Sequence, residues 1–487
     1  MYRRFFLTLT ALSLACAGSA GADTTNWDEI VPVTSLRADF AALYAGLRSA
    51  HANLYVHRDK ARYDALYDAM RLELEEPLSL FEAHVRFQKF VAFGNVAHAR
   101  IDFPYEVYQA FEDQGGRSFP IYLRIAKDRA YVGEDYSGNA DVQPGDRIVA
   151  LNNLPIKDWL RRTAAHISAD TDYIAHSLLE FSFPRHLWLE LGEVAVFELE
   201  LKSRDGARKS VTIAARSAAQ RRQHADEQAA ASAPDRSLRA FELLDDNIAY
   251  LRPGPFYNAE DPNAIWDNTA FLAFIDSAFE TFLDARADTL IIDLRENPGG
   301  DNSFSDPMLA WIADEPFRFY SEFLIRSSDE AAASNQARLD GNPAAAESVS
   351  RLMAERYAEV PRGESFAFEI PFAEPRKGPR FDGEVYVLIN RHSYSNTVNV
   401  AAIVQDYGLG TVVGEKTSDM ATTYGAMETF TLPHTGFTVG FPKAHIIRPS
   451  GKRRADGVSP DWPIESPLVS TGEDPMLDSL LQRLRAR

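Results

Sequence analysis

Thr289-Leu290-Ile291-Ile292-Asp293-Leu294 runs directly into Arg295-Glu296-Asn297-Pro298-Gly299-Gly300. The first half is short and largely apolar, the pattern of a strand buried on both faces of a parallel sheet. The second half is a turn, because proline and paired glycines stop regular structure. Val385-Tyr386-Val387-Leu388-Ile389 and Thr411-Val412-Val413 repeat the apolar pattern. Residues 246–325 and 380–465 therefore read as alternating strands and helices, an α/β arrangement. Sites in open α/β sheets gather at the carboxyl ends of strands. Gly299 and Gly300 at such an end would let backbone N–H groups face a ligand without side-chain obstruction, which suits an oxyanion hole. Taken alone, the same residues also describe an ordinary tight turn.

A second strand end carries Asn390-Arg391-His392-Ser393-Tyr394-Ser395-Asn396-Thr397, ahead of a helical stretch from Val398 to Tyr407 that stops at Gly408. A hydroxyl at a strand-to-helix turn points away from the sheet, and the helix N-terminus supplies unpaired N–H groups and positive potential. Ser395 is thus a candidate nucleophile. The commoner use of Ser395 or Thr397 there is a helix cap. No Gly-x-Ser-x-Gly elbow is present, which argues against an α/β-hydrolase. A serine needs a base, and the chain has eleven histidines. One of them, His98, lies in Phe93-Gly94-Asn95-Val96-Ala97-His98-Ala99-Arg100-Ile101, where a helix hands over to a strand.

Outward from these segments the chain is long enough, at 487 residues, for several domains. Apolar positions three and four apart (Leu36, Phe40, Leu43, Leu47; Tyr63, Leu66, Met70, Leu74) predict helices over 27–95, with a new helix starting after Pro77-Leu78-Ser79. Residues 118–160 change to strand pairs. Residues 216–236 read as a linker or exposed helix, and 327–365 as a helical insertion that is either a lid or surface decoration. A net charge of −19 repels phosphate backbones, so nucleic acid binding would need a concentrated basic face, and the sequence offers none. Met1–Ala22 reads as an export signal: Arg3 and Arg4, an apolar run from Phe5 to Ala17, and a small-x-small site at Ala20-Gly21-Ala22. A twin-arginine route and lipidation at Cys16 are variants of that reading, the second allowing peripheral membrane association. Cys16 is the only cysteine, so a chain cut after Ala22 has no disulfide, thiolate nucleophile or cysteine metal site. No apolar run of about 18 residues follows the N-terminus, so no internal membrane span is expected.

Taken in order, the motifs resemble the carboxyl-terminal processing (tail-specific) protease family. Residues 293–300 match its Asp-Leu-Arg-x-Asn-Pro-Gly-Gly, and Asn390–Ser395 match Asn-x-x-Ser-x-Ser. Gln405–Gly408 and Val412–Thr417 match the Gln-Asp-Tyr-Gly and Val-Val-Gly-Glu-x-Thr that follow. Pro144–Asn152 is similar to the family's PDZ-like domain, and Gly457–Asp461 to its closing Gly-Val-x-Pro-Asp.

This resemblance implies a multi-domain α/β protein: signal peptide 1–22, helical region 23–115, PDZ-like β-rich domain 116–215, linker 216–236, a ClpP/crotonase-like catalytic domain 237–470 and a C-terminal helix 471–487. It implies a serine endopeptidase with Ser395 as nucleophile and an oxyanion hole from Asn396 and Gly299 or Gly300. The family's Ser–Lys branch places its lysine 25 residues after the serine, where this chain has Met420. Lys416 is nearby but falls on a variable position. The tricorn-like Ser–His branch takes its histidine from before the PDZ-like region, which implies His98. Ala97 stands where that branch has a serine. Asp456 or Glu415 would orient the histidine, Asp456 by its place beside the closing motif. No metal or organic cofactor is implied. The expected partner is a peptide or unfolded protein, and the expected location is periplasmic or secreted. A decayed peptide-binding protein and an esterase are the competing readings.

Overall fold

The computed structural model describes residues 25–227, 238–244, 247–341, 349–469 and 474–487. The expected signal peptide, residues 228–236 of the expected 216–236 linker and part of the 327–365 insertion lie outside them. The chain is a multi-domain α/β protein. It divides into two compact units, one of residues 1–224, 325–366 and 424–444, the other of 225–324, 367–423 and 445–487.

The second unit is built on a six-stranded sheet. Ala240–Leu243 pairs antiparallel with Ile248–Arg252, and Thr289–Asp293, Glu384–Ile389, Thr411–Gly414 and Trp462–Pro463 then follow side by side, all parallel. The apolar runs are explained by burial on both faces. Leu290, Ile292, Val385, Val387 and Val412 pack with Phe271, Phe279 and Trp311 on one face, among the helices Thr269–Asp284, Asn302–Leu309 and Asn396–Tyr407. Ile291, Tyr386, Leu388 and Val413 meet Met476 and Leu480 of the helix Pro475–Arg485 on the other. Successive strand residues face opposite ways, so each strand is apolar on every residue rather than on alternate ones.

The register brings two strand ends together. Asp293 lies opposite Leu388, so the turn leaving Thr289–Asp293 emerges beside the turn leaving Glu384–Ile389. A buried charge cluster braces the first. Asp293 accepts from Arg295 Nε at 2.9 Å and from Tyr250 Oη at 2.7 Å, and Arg295 continues to Asp474 at 2.7 Å. Burial works against the Asp293 charge, but Arg295 and Arg252 outweigh it and hold the carboxyl below the usual range.

The first unit opens with the helices Val33–Ala50, Lys60–Glu73 and Leu80–Ala92, around buried Phe40, Tyr63, Phe87 and Phe90. Ser79 and Glu82 form a reciprocal capping box at the third helix, which is why the helix restarts after Pro77. An antiparallel sheet follows, in the order Ile121–Ala126, Arg129–Asp135, Arg147–Leu151, Val196–Lys202 and Arg208–Ala214. Three helices, Ile156–Ala164, Asp172–Glu180 and Phe183–Leu191, come between its third and fourth strands. Two further helices, Asp329–Gly341 and Val349–Glu359, and most of the strands Thr423–Thr431 and Thr438–Ile447 belong to this unit. Buried Glu428 ties them: it accepts from Lys443 Nζ, from Arg338 and, at 2.7 Å, from Ser334 Oγ. Among the described residues no helix is long and apolar enough to cross a membrane.

Candidate active site

Ser395 sits between the strand Glu384–Ile389 and the helix Asn396–Tyr407, at the helix N-cap. Its backbone has φ 54° and ψ −124°, left-handed for a residue with a side chain. Such a conformation costs on the order of 1–3 kcal/mol and persists only where neighbours over-determine it. Here buried Asp419 accepts the Ser395 N–H at 2.7 Å, and the Tyr394 N–H reaches Asn297 O at 3.0 Å. The Ser395 hydroxyl caps nothing: its side chain makes no capping bond to the helix, and it has no hydrogen-bond partner among the described residues. The capping use of Ser395 is thereby removed. The half-buried hydroxyl stands at the positive end of a twelve-residue helix.

The glycine turn lies against it. A Cβ on Gly299 would fall 2.8 Å from Asn396 N and 2.9 Å from Ser395 Cβ, so only glycine allows this approach. Gly299 has φ 89° and Gly300 φ 141°. The Gly299 N–H is donated to Asn297 Oδ1 at 2.9 Å. Gly300 pairs with Phe256 in a parallel bridge, framed by Phe256 N–H to Gly299 O and Asp301 N–H to Phe256 O, both 2.9 Å. The Gly300 and Asn396 N–H groups take no partner among the described residues. The Asn396 side chain is held by Ser305 Oγ at 2.8 Å. The structure therefore brings Ser395, Asn396 and Gly299 together, with Gly300 next in the same turn and the Gly300 and Asn396 amides unclaimed among the described residues.

Asp456 and Glu415 belong to the same unit. Asp456 Oδ1 accepts from Lys416 Nζ and, at 3.0 Å, from its neighbour's N–H at Gly457. Burial raises its pKa, but the Lys416 bond and charge prevail and keep the carboxyl below the ordinary range. Its Oδ2 is approached by Arg454 Nε at 3.9 Å. Glu415 is committed to Arg391, with Nε to Oε1 at 3.0 Å, and takes Ser466 Oγ at 2.8 Å. Met420 is buried and bridges antiparallel to Gly457.

His98 is in the first unit, in the turn after the helix Leu80–Ala92. Its Nδ1 is buried without a hydrogen-bond partner among the described residues. The turn is anchored by Asp170, whose Oδ2 accepts the Ala97 N–H at 2.9 Å while Oδ1 meets His57 Nε2 at 3.2 Å. Asp419 and Asp170 were not singled out from the sequence. They lie 24 and 73 residues from the groups they hold, and a lone aspartate in a polar stretch carries no local signal. No group of three His, Cys, Asp or Glu side chains among the described residues could hold a metal ion.

A family model, "Peptidase family S41", matches residues 261–464, from before the helix Thr269–Asp284 to the last strand of the sheet. Residues 261–464 belong to peptidase family S41. That range holds Ser395, both glycines and Asn396. No curated protein sequence matches the chain. Among solved structures, mature CPAF complexed with lactacystin is 15% identical with a TM-score of 0.63, covering 93% of this chain and 97% of that one. Mature CPAF alone is also 15% identical, with a TM-score of 0.62 and coverage of 88% and 92%. These likenesses concern the fold. A photosystem II D1 C-terminal processing protease is 15% identical over 88% of this chain and 93% of its own, with a TM-score of 0.44.

Proposed function

We propose that the S41 chain is an exported serine endopeptidase working through Ser395 and His98. Ser395 Oγ attacks a peptide carbonyl as His98 takes its proton. The N–H groups of Gly300 and Asn396 receive the oxyanion, a contribution of about 3 kcal/mol per donor in enzymes of this kind. Collapse breaks the C–N bond, His98 returns the proton to the departing amine, and water then releases the acyl group by the same steps in reverse roles. An imidazole suits this task near neutral pH without the large desolvation that a lysine base requires. Asp456 is the acid proposed to steady His98, with Oδ2 as the accepting oxygen since Oδ1 serves Lys416 and Gly457. The antiparallel sheet of residues 121–214 is proposed as a PDZ-like module that takes an extended peptide by strand addition. Residues 1–22 are proposed as the signal for export to the periplasm.

The observation that carries the reading is the strained, non-capping Ser395 beside two unclaimed amides. The test is cleavage of an unstructured peptide by the mature chain. Ser395→Ala should lower kcat by about 10⁴-fold or more, and a fluorophosphonate should label the unsubstituted chain at Ser395. Undiminished cleavage by Ser395→Ala overturns the assignment. Peptide binding without turnover or labelling would mark a binding protein, and ester turnover without peptide cleavage an esterase.

A further inference from the structure

We infer that Glu296 and His392 form a clamp that sets the spacing between the oxyanion turn and the nucleophile turn, and that both are positioning residues for Ser395. The inference rests on the reading of Ser395 as the nucleophile. Glu296 stands in the turn that ends in Gly299-Gly300, and His392 stands three residues before Ser395. The two motifs leave these positions open, so neither was marked by the resemblance. In space they meet. His392 Nδ1 lies 3.1 Å from Glu296 Oε1 and 3.0 Å from Oε2. A carboxylate only accepts, so this nitrogen carries the proton. Asn390 completes the clamp from both sides. Its Nδ2 donates to Glu296 Oε1 at 2.7 Å, and its Oδ1 accepts the N–H of His392 at 3.0 Å and of Glu296 at 3.3 Å.

Three features assign these contacts to geometry at the reacting atoms rather than to bulk stability. Glu296 has φ 61°, an unfavourable conformation for a residue with a Cβ. Its side-chain bonds hold the turn in that state. The His392 and Glu296 side chains are only 11% and 13% exposed, so the contact is shielded from water and from screening. The next residues of each turn are in van der Waals register: the Gly299 α-carbon has no room for a methyl against Ser395 Cβ and Asn396 N. A shift of the Glu296 turn therefore moves the Gly300 amide relative to the Ser395 hydroxyl. A misplacement of about 1 Å between reacting groups can cost on the order of 100-fold.

The experiment measures kcat, KM and melting temperature on one unstructured peptide for the full mature chain and its His392→Ala, His392→Asn, Glu296→Ala and double-alanine variants. An asparagine places an amide N–H where the Nδ1–H stood but takes no proton at neutral pH. We expect His392→Ala and Glu296→Ala each to lower kcat about 30-fold with KM within about twofold. The double variant should fall no further than the worse single one, because both remove the same contact. His392→Asn should regain kcat to within about threefold of the unsubstituted chain. A lowered melting temperature with unchanged kcat overturns the clamp, as does a well-folded His392→Asn that stays as slow as His392→Ala. Should the alanine variants not fold, the asparagine variant and Glu296→Gln still decide: kcat within about threefold of the unsubstituted chain is expected for the first and a loss of about tenfold for the second. Equal full activity in Glu296→Gln and Glu296→Ala, or in Glu296→Gln alone where alanine fails, overturns it. Failure of the nucleophile reading is separate, because it shows as cleavage that survives Ser395→Ala.

Discussion

The serine turn and the histidine turn are anchored by different kinds of contact. Around Ser395 the backbone is pinned at every step: Ser393 Oγ to Leu294 O at 2.8 Å, Tyr394 N–H to Asn297 O, and Ser395 N–H to Asp419. Around His98 the backbone is held by Asp170, which accepts the Ala97 N–H, by Ala99 N–H to Val96 O at 2.9 Å and by the Arg100–Gly440 bridge, while the imidazole keeps a buried Nδ1 without a partner among the described residues. The difference fits the proposed roles: an oxyanion site would work by pre-organised dipoles and lose its advantage if it had to reorganise, whereas a base would have to pick up a proton and give it back. The rigid part is built where two parallel strands end side by side, since the sheet already fixes their spacing.

The sharpest way to break this contrast is His98→Ala. It should lower kcat/KM by roughly 10³-fold or more while moving the melting temperature by no more than about 2 °C, because a ring that makes few bonds holds little of the fold. Thermal melts beside peptide kinetics check both halves. A large loss of stability would show that the histidine turn is as braced as the serine turn.

Gly300→Ala probes the opposite side. Its methyl would come within 2.0 Å of Phe256 O, at a φ of 141° that side chains rarely adopt. The turn must move, so activity and stability should fall together: kcat by about 100-fold and the melting temperature by roughly 5 °C. A variant that melts normally but is inactive would mean that the turn relaxes without cost and only the amide is lost.

The same contrast explains what could be read from the residues alone. The sheet was legible because strands buried on both faces need unbroken apolar runs, and Thr289–Asp293 and Glu384–Ile389 have them. The glycines and Ser395 were legible because a close backbone approach and a strand-to-helix turn constrain residue type. Which of the two glycine amides is already bonded was not, since it depends on Asn297 turning its side chain back two residues. Asp419, Asp170 and the Glu296–His392 contact were hidden for a common reason: each pairs groups distant in sequence through polar residues that fit any loop. The three helices within 156–191 were missed in a stretch read mainly for its strands.

The smallest effect per group concerns acid. The first unit buries His51 and His84, and burial pushes each down to about 3; Arg326 and His57 add charge repulsion at His51. A histidine neutral in the fold but titrating near 6.5 when unfolded binds more protons in the unfolded chain between those two values. Stability therefore rises with pH across that window and is lost as pH falls from about 6.5 toward 3. Between pH 7 and 6 each such histidine removes about 0.7 kcal/mol, and the loss approaches about 1.4 kcal/mol per unit further down. His166 and His186 are lowered in the same direction, also chiefly by burial. In the second unit His445, only partly buried, is lowered in the same direction. Acidification to pH 5 should thus loosen the unit that carries His98 before the unit that carries Ser395. Hydrogen exchange at pH 7 and pH 5 resolves the two: amides of the helices Val33–Ala50 and Leu80–Ala92 should lose protection first, and those of Thr289–Asp293 and Glu384–Ile389 should hold. His84→Phe, which keeps an aromatic ring beside Trp27 and Phe437, should flatten the pH dependence of that loss, and an unaltered slope would assign acid sensitivity to other groups.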